Sequence, residues 1–291
     1  MKKKFLVLAA LAAFSHAAVQ AQDVNQNDQQ VSERLKKDLS GLGKKGEWYF
    51  SWGYNKEWYT GSNLHIKQPS LGNDYTIVGL RAHDHPGWDD GLFQKDLTIP
   101  QYNYRIGYFF KDNWAFEISF DHTKYVASTN QLLHIKGSRN GQQVDEFISN
   151  RPDANGERFL QYQLNNGANF LMFNLVHRKH LTNFNKKWFD ASLLLKGGLG
   201  VMIPHVDAKI DGRQNNPDFQ FGGFGADLEA ALRTTFFRSV YLEFANKVNG
   251  LAYSHLHIAE GSAKQTFGAY QMVLSIGATI PAKHSKPVDN P

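Results

Sequence analysis

From Glu47 onward the chain returns again and again to a period of two, and the two faces this creates have opposite chemistry. Trp48, Phe50, Trp52 and Tyr54 fall on one face, and Tyr49, Ser51, Gly53 and Asn55 on the other. Successive side chains of an extended strand point to opposite sides, so the segment reads as a strand with one aromatic and one mainly small or polar side. In 101–110, Tyr102, Tyr104, Ile106, Tyr108 and Phe110 oppose Asn103 and Arg105. In 114–127, Trp114, Phe116, Ile118 and Phe120 oppose Glu117, Ser119 and Asp121. The division recurs in 169–180, 188–203, 220–236, 240–249 and 267–280, whose polar faces carry Arg178, Asp190, Lys196, Asp227, Glu229, Arg233, Glu243 and Lys247.

A soluble sandwich hides its apolar faces between two sheets. A transmembrane barrel turns them to lipid and lines its interior with polar residues. The charges of both signs on the polar faces favour the barrel. So do the aromatics beside the short connections: Tyr108, Phe110 and Trp114; Trp188; Phe236 and Phe237. Three connections are tight (111–113, 183–187 and 238–239), and the first two between them are long (61–96 and 128–168). Short turns on one side and long loops on the other are the asymmetry of an outer-membrane barrel. The expected fold is therefore all-β: a transmembrane antiparallel up-and-down β-barrel of eight strands, with long extracellular loops, short periplasmic turns and both termini in the periplasm. Strand-like runs at 75–82 and 131–136 leave two readings open, hairpin extensions above the membrane or a ten-stranded barrel.

The charges suggest registers. With paired residue numbers summing to about 224, Arg105 stands opposite Ser119, diagonal to Glu117 and Asp121. A sum of 476 sets Arg233 against Glu243 and Glu229 against Lys247, and a sum of 368 sets Arg178 against Asp190. Eight strands leave a lumen just wide enough for side chains. Charges there must pair, so Arg105, Glu117, Asp121, Arg178, Asp190, Glu229, Arg233, Glu243 and Lys247 are expected as lumen ion pairs.

Outside the alternating region the chain divides simply. Residues 1–21 have a basic start (Lys2, Lys3, Lys4), a short apolar core and small residues at Val19 and Ala21, the pattern of a secretory signal peptide. Its removal takes three lysines and no acids, so the formal charge falls from +5 to +2, which gives no reason to expect nucleic acid as a partner. Residues 22–46 form a polar periplasmic lead-in, with a short helix possible through Val31, Leu35, Leu39 and Leu42; 47–280 form the barrel; 281–291 form a polar tail. The mean hydropathy is −0.47, but that does not count against a barrel, whose strands escape a hydropathy scan.

Chemical motifs are sparse. There are no cysteines, no HExxH, no GxSxG and no phosphate-binding glycine loop, and no cofactor is expected. His83, Asp84 and His85 could offer imidazole and carboxylate to a divalent metal, although His-x-His also occurs in ordinary polar loops. Ser254-His255-Leu256-His257 is similar to the His-x-Ser segment of small barrels that deacylate lipid A. Here His257 occupies the place of the nucleophile, Ser254 points to the opposite face from His255, and Glu260 follows in the next loop.

The segments Glu57-Trp58-Tyr59-Thr60, Arg81-Ala82-His83-Asp84 and Ile99-Pro100-Gln101-Tyr102-Asn103-Tyr104-Arg105-Ile106-Gly107-Tyr108 resemble uncharacterised outer-membrane barrels of Bacteroidota-type Gram-negative bacteria, of the small eight-stranded kind. The resemblance implies fold and location, with outer-membrane lipid, lipopolysaccharide and the barrel assembly machinery as partners. The chain departs from a common barrel signal, a terminal aromatic, since Ile280 is followed by a polar tail. Two functions are carried forward. One is a non-enzymatic barrel with a plugged lumen, whose surface loops bind an extracellular ligand or serve envelope structure. The alternative is a lipid A-modifying hydrolase acting through His255 or His257. Intact-mass measurement of the exported protein should find Gln22 as its first residue; an N-terminus still at Met1 would refute the leader.

Overall fold

The computed structural model describes residues 42–84, 101–164, 167–181, 189–280 and 282. Its strands are β1 (Trp48–Tyr59), β2 (Ser62–Gln68), β3 (Asn73–Leu80), β4 (Ala82–His83), β5 (Tyr102–Lys111), β6 (Trp114–Asp121), β7 (Tyr125–Ala127), β8 (Leu132–Arg139), β9 (Gln142–Ser149), β10 (Leu160–Leu164), β11 (Phe170–His180), β12 (Phe189–Met202), β13 (His205–Ile210), β14 (Arg213–Gln214), β15 (Asp218–Phe219), β16 (Gly223–Phe236), β17 (Val240–Ile258) and β18 (Gly261–Ile280).

Among the described residues every pairing is antiparallel. β1 pairs β5 along one edge and β18 along the other. Between them the ladder passes through β6, β11, β12, β16 and β17, so a path that starts at β1 returns to it. Around this ring the alternation read from the sequence becomes an inside and an outside. Phe116, Leu199 and Leu228 point outward at 62, 71 and 66 % exposure. Their strand neighbours Glu117, Gly198 and Glu229 turn inward, and the two glutamates are buried. A core built inside a sheet would show the reverse.

Two of the three expected hairpin registers are observed: Arg105 faces Ser119, Arg233 faces Glu243 and Glu229 faces Lys247. The third differs. Arg178 faces Leu194, not Asp190, because the midpoint of the β11–β12 hairpin lies two residues later than a tight turn centred on Phe184 would place it. The shift is even, so inward residues stay inward.

The long connections are built, too. β2, β3, β8 and β9 extend the sheet outward from the upper part of β18. The run at 131–136 thus enters this extension, and the run at 75–82 enters it up to Leu80 and then begins β4 at Ala82; neither joins the ring. A second sheet has the order β14-β13-β10-β7-β4, with β15 also on β13. Between the two sheets lies an apolar core that includes Leu64, Ile66, Tyr75, Ile77, Leu133, Ile135, Leu160, Val206, Ile210 and Leu256. It continues into the ring through Phe170, Met172 and Met202. Strands β17 and β18 run for 19 and 20 residues, well beyond the 240–249 and 267–280 expected, because their outer halves belong to this core. Within it, Gln265 donates to the Tyr125 hydroxyl at 2.7 Å and accepts from that of Tyr162 at 3.1 Å, and burial pushes the Tyr125 phenol up to about 12.

The two apolar regions should respond differently to truncation. Ile135→Ala, in the core between the sheets, should cost about 2–5 kcal/mol in denaturant unfolding of detergent-solubilised protein. Phe116→Ala on the outer face should cost clearly less in the same assay. Equal losses would contradict the assignment of inside and outside.

Candidate functional site

The interior of the ring on the short-turn side is a network of charges. Lys196 of β12 lies 3.0 Å from Glu117, 2.9 Å from Glu229 and 2.9 Å from Glu243. Arg105 of β5 lies 3.4 Å from Glu117, 3.6 Å from Asp121 and 3.1 Å from Glu229. Lys247 of β17 contacts Asp121 and Asp227, each at 2.7 Å. The cations Arg105, Lys196, Arg233 and Lys247 therefore meet the carboxylates of Glu117, Asp121, Asp227, Glu229 and Glu243, all of them buried. Such a set is tolerable out of water only because each charge has partners; stranding one costs several kcal/mol.

Arg233 shows how closely the strands cooperate. Its guanidinium makes a two-point contact with Glu243, Nε at 2.7 Å and Nη2 at 2.6 Å. It lies 4.3 Å from the ring centre of Tyr49 and 4.0 Å from that of Tyr241. Each tyrosine in turn lies over a glycine of the next strand: a β-carbon on Gly107 would meet the Tyr49 ring at 2.0 Å, and one on Gly277 the Tyr241 ring at 2.2 Å. The glycines are there because the rings fill the side-chain space. Tyr49 also donates to Glu117 at 2.8 Å, joining the arginine clamp to the Lys196 cluster.

Residues 42–47 are bonded to the short-turn end. The Gly46 amide donates to Phe109 and the Asn113 amide to Gly43, lacing this segment to the β5–β6 turn. Asp112 accepts from the Lys45 amide and from Lys44, and these bonds hold its carboxyl below the usual range. Buried Glu47 accepts from Thr279 at 2.8 Å and meets Arg178 at 3.3 Å. Arg178 also reaches Asp190 at 2.9 Å despite the altered register, because its Nε bonds Ser192 and its guanidinium extends along β12. His180, Asp190 and Ser192 resemble a nucleophilic triad in composition only. Asp190 and Ser192 both approach Nδ1 of His180, at 2.8 and 3.4 Å, and the serine hydroxyl is given to Asp190 at 2.7 Å. A general base would have to receive the serine proton on its other nitrogen.

The remaining candidates separate. Asp84 accepts from the Glu57 amide and from Gln101, while His83 is exposed and its Nδ1 lies 2.6 Å from the Asp84 carbonyl oxygen. The two side chains are thus engaged apart, and His85 lies outside the described residues. Among the described residues no three histidine, aspartate or glutamate side chains form a metal-holding group. His255 and His257 are exposed on the outer part of β17, ring centres 5.5 Å apart. The pairing sets Ser262 of β18 opposite His257, a neighbour that reading along one strand could not supply.

Sequence reasoning singled out nine lumen residues and missed the hub. Lys196 was legible as a polar-face residue, but its three partners come from three other strands. Lys247 was paired in register with Glu229, yet its contacts are Asp121 and Asp227, one of them across the lumen. Glu47 and Tyr49 carried no charge-pattern signal beyond their place on the inward face.

No family model matches the chain, and no curated protein matches it. Among solved structures, it is similar to the attachment invasion locus protein Ail of Yersinia pestis at 12 % identity and a TM-score of 0.30, covering 81 % of this chain and 99 % of that one. The outer membrane protein OprG of Pseudomonas aeruginosa gives 10 % identity, a TM-score of 0.35 and coverages of 84 and 99 %. The outer membrane protease OmpT of Escherichia coli gives 8 % identity, a TM-score of 0.31 and coverages of 83 and 98 %. Similarity this slight decides nothing about what this chain does.

The charge network makes a cycle testable. Arg233→Ala should destabilise the protein by roughly 3–5 kcal/mol in denaturant unfolding, since it removes the clamp and adds one unbalanced carboxylate. Adding Glu243→Ala should recover about 1–3 kcal/mol, because the balance of charge is restored and Lys196 keeps Glu117 and Glu229. Additive losses would contradict the coupling.

Proposed function

We propose that the chain is an eight-stranded transmembrane β-barrel of the outer membrane, exported by residues 1–21, and that it is a non-enzymatic envelope protein with a sealed lumen. The observation that carries this reading is the outward apolar band and its two aromatic borders. Trp48 and Trp58 stand ten positions apart on β1, both outward and exposed. Trp48 packs on Tyr108 at 4.7 Å, and Trp58 on Tyr270 at 5.6 Å. Ten strand residues span about 33 Å. At the tilt usual for barrels this becomes about 25 Å, the height of the apolar belt such proteins present to lipid. Between the borders lie exposed Phe50, Trp52, Ile106, Phe116, Leu242 and Ile276. An apolar surface this large would be a liability in water.

The interior supports a plug and not a pore. Buried charges fill the lower lumen, residues 42–47 lie across its short-turn mouth, and the apolar core covers the opposite end. What remains for function is the outer pair of sheets. These would stand outside the cell, above lipid and lipopolysaccharide, after insertion by the barrel assembly machinery. The hydrolase reading keeps one specific observation, Ser262 opposite His257, but no hydrogen bond joins the two side chains and no carboxylate is bonded to His257 among the described contacts.

Expressed with its leader, the protein should fractionate with outer membranes and migrate faster on a gel unheated than boiled, because a ring of strands offers detergent no edge. Purified protein should give no steady conductance in a planar bilayer. Recovery in the soluble periplasm would overturn the location, and stable large currents would overturn the plug. Lipid A from the expressing host should keep its mass. Loss of an acyl chain that His257→Ala prevents would replace this reading with the hydrolase.

A further inference from the structure

Strand edges in the outer sheets are not alike. β4, β14 and β15 are each two residues long, which leaves little edge to pair. β9 is the exception. It runs for eight residues, ends the larger sheet, and among the described residues pairs only with β8, in a register without a bulge. It contains no proline or lysine, residues that usually blunt an edge, and its two charges are engaged within the sheet and beside it, Asp145 by Lys136 and Glu146 by Arg139.

The orientation of its free groups follows from the ladder. The Asn150 amide donates to Gln131 at 2.9 Å, and in an antiparallel pair the bonded residues alternate. The backbone N–H and C=O of Gln143, Asp145, Phe147 and Ser149 therefore turn away from β8. The strand cannot slide or fold back, since Val144 and Ile148 pack on the apolar core. On its outer face, Phe147 is exposed and stacks on His134 at 4.3 Å.

A cleft of about 560 Å³ adjoins the end of this edge, lined among others by Arg151, Arg158, Phe159 and Lys209. Asn150, which follows β9, exchanges two hydrogen bonds with Leu160, which follows Phe159. Arg139 links β9 to the cleft through Glu146 at 3.2 Å and Asp211 at 2.9 Å, with its guanidinium over the Phe159 ring. The carboxylates of the cleft are taken: Asp211 by Arg139, Glu157 by Lys209, and Asp153 by the amides of Asn155 and Glu157. Arg151 and Arg158 have no carboxylate partner among the described residues, and Nε of Arg158 is shielded from solvent with no hydrogen-bond partner among them.

We infer that β9 is an acceptor edge for an extended polypeptide segment of another protein, which adds a strand to the sheet and sets an acidic side chain in the cleft beside Arg151 and Arg158. Main-chain bonds supply affinity in such an arrangement, and a pocket for alternate side chains supplies selectivity. A second copy of this chain fits less well. Pairing β9 with itself antiparallel about its middle brings Asp145 against Asp145 or Glu146 against Glu146, and like charges directly opposed are unfavourable.

The test uses purified full-length mature protein in detergent micelles and two fluorescein-labelled ten-residue peptides. Both alternate threonine and valine; one has a central glutamate, the other a central lysine. Fluorescence anisotropy should show saturable binding of the glutamate peptide, with the lysine peptide at least about tenfold weaker. Phe147→Pro removes one outward N–H and leaves the β8 ladder intact, as proline does on an edge. It should weaken binding at least about tenfold relative to Phe147→Ala, which loses the same ring but keeps the donor. Arg158→Gln should abolish the preference for glutamate. Unheated gel mobility identifies variants that still fold. Absence of saturable binding up to about 1 mM, equal affinity for the two peptides, or equal affinity of the proline and alanine variants would overturn the proposal. So would a cross-linked dimer that Phe147→Pro abolishes, since the edge would then belong to a second copy.

Discussion

Lys196 depends on three carboxylates from three other strands, and those carboxylates depend on Arg105 and Arg233. This mutual dependence follows from one constraint. Around the ring the inward charges are buried, so the inward face of each strand has the inward faces of the others for company. A charged residue placed there is costly alone and acceptable in a set. The network ties β5, β6, β12, β16 and β17 across the lumen, while backbone ladders tie each strand only to its neighbours.

The structure changes character along its length because the surroundings change. Around the ring, apolar side chains point out and polar ones in. Beyond it, the two outer sheets face each other with apolar side chains inside, and exposed Lys67, Lys136 and Asp145 on the outside. β17 and β18 pass through both regions. On β17, inward Lys247 and Asn249 give way to inward Leu251 and Tyr253 with no break in the alternation. The inside of one continuous strand is thus salt-bridged at one end and apolar at the other. At the outer edge, Asp145 accepts from His134 and Lys136, and these bonds hold its carboxyl below the usual range, so the face beside β9 keeps a charged pattern.

For function, the consequence is a division of labour. Inside the ring lie the buried charges, with residues 42–47 bonded to the β5–β6 turn on one side and the apolar core continuing into the ring from the other. The sheets built from the long connections carry the regular free edge and the adjoining cleft. The residues that resemble catalytic groups differ from a triad in geometry: Asp190 and Ser192 share Nδ1 of His180, and among the described residues no carboxylate is bonded to the exposed histidines of β17.

Alternation alone determined which residues turn in and which turn out, because a strand has a fixed period of two and the chain keeps it for most of its length. It also located the short connections at 111–113 and 238–239 and the pairs that face each other across them, Arg233 with Glu243 and Arg105 with Ser119; 183–187 lies outside the described residues. These are local quantities, set within one strand or one hairpin. Everything that needed distant strands was decided by the tertiary structure. The Arg178 register moved because β11 and β12 pair about a midpoint two residues beyond Phe184, and Lys196 became the hub because ring closure brings β6 and β17 to it. The runs at 75–82 and 131–136 hinted at strands beyond the ring, but the outer core and the edge at β9 could not be read, because Leu64, Ile135 and Ile210 meet only after two sheets have formed. Sequence periodicity records which way a side chain points, and only the folded ring settles what it meets there.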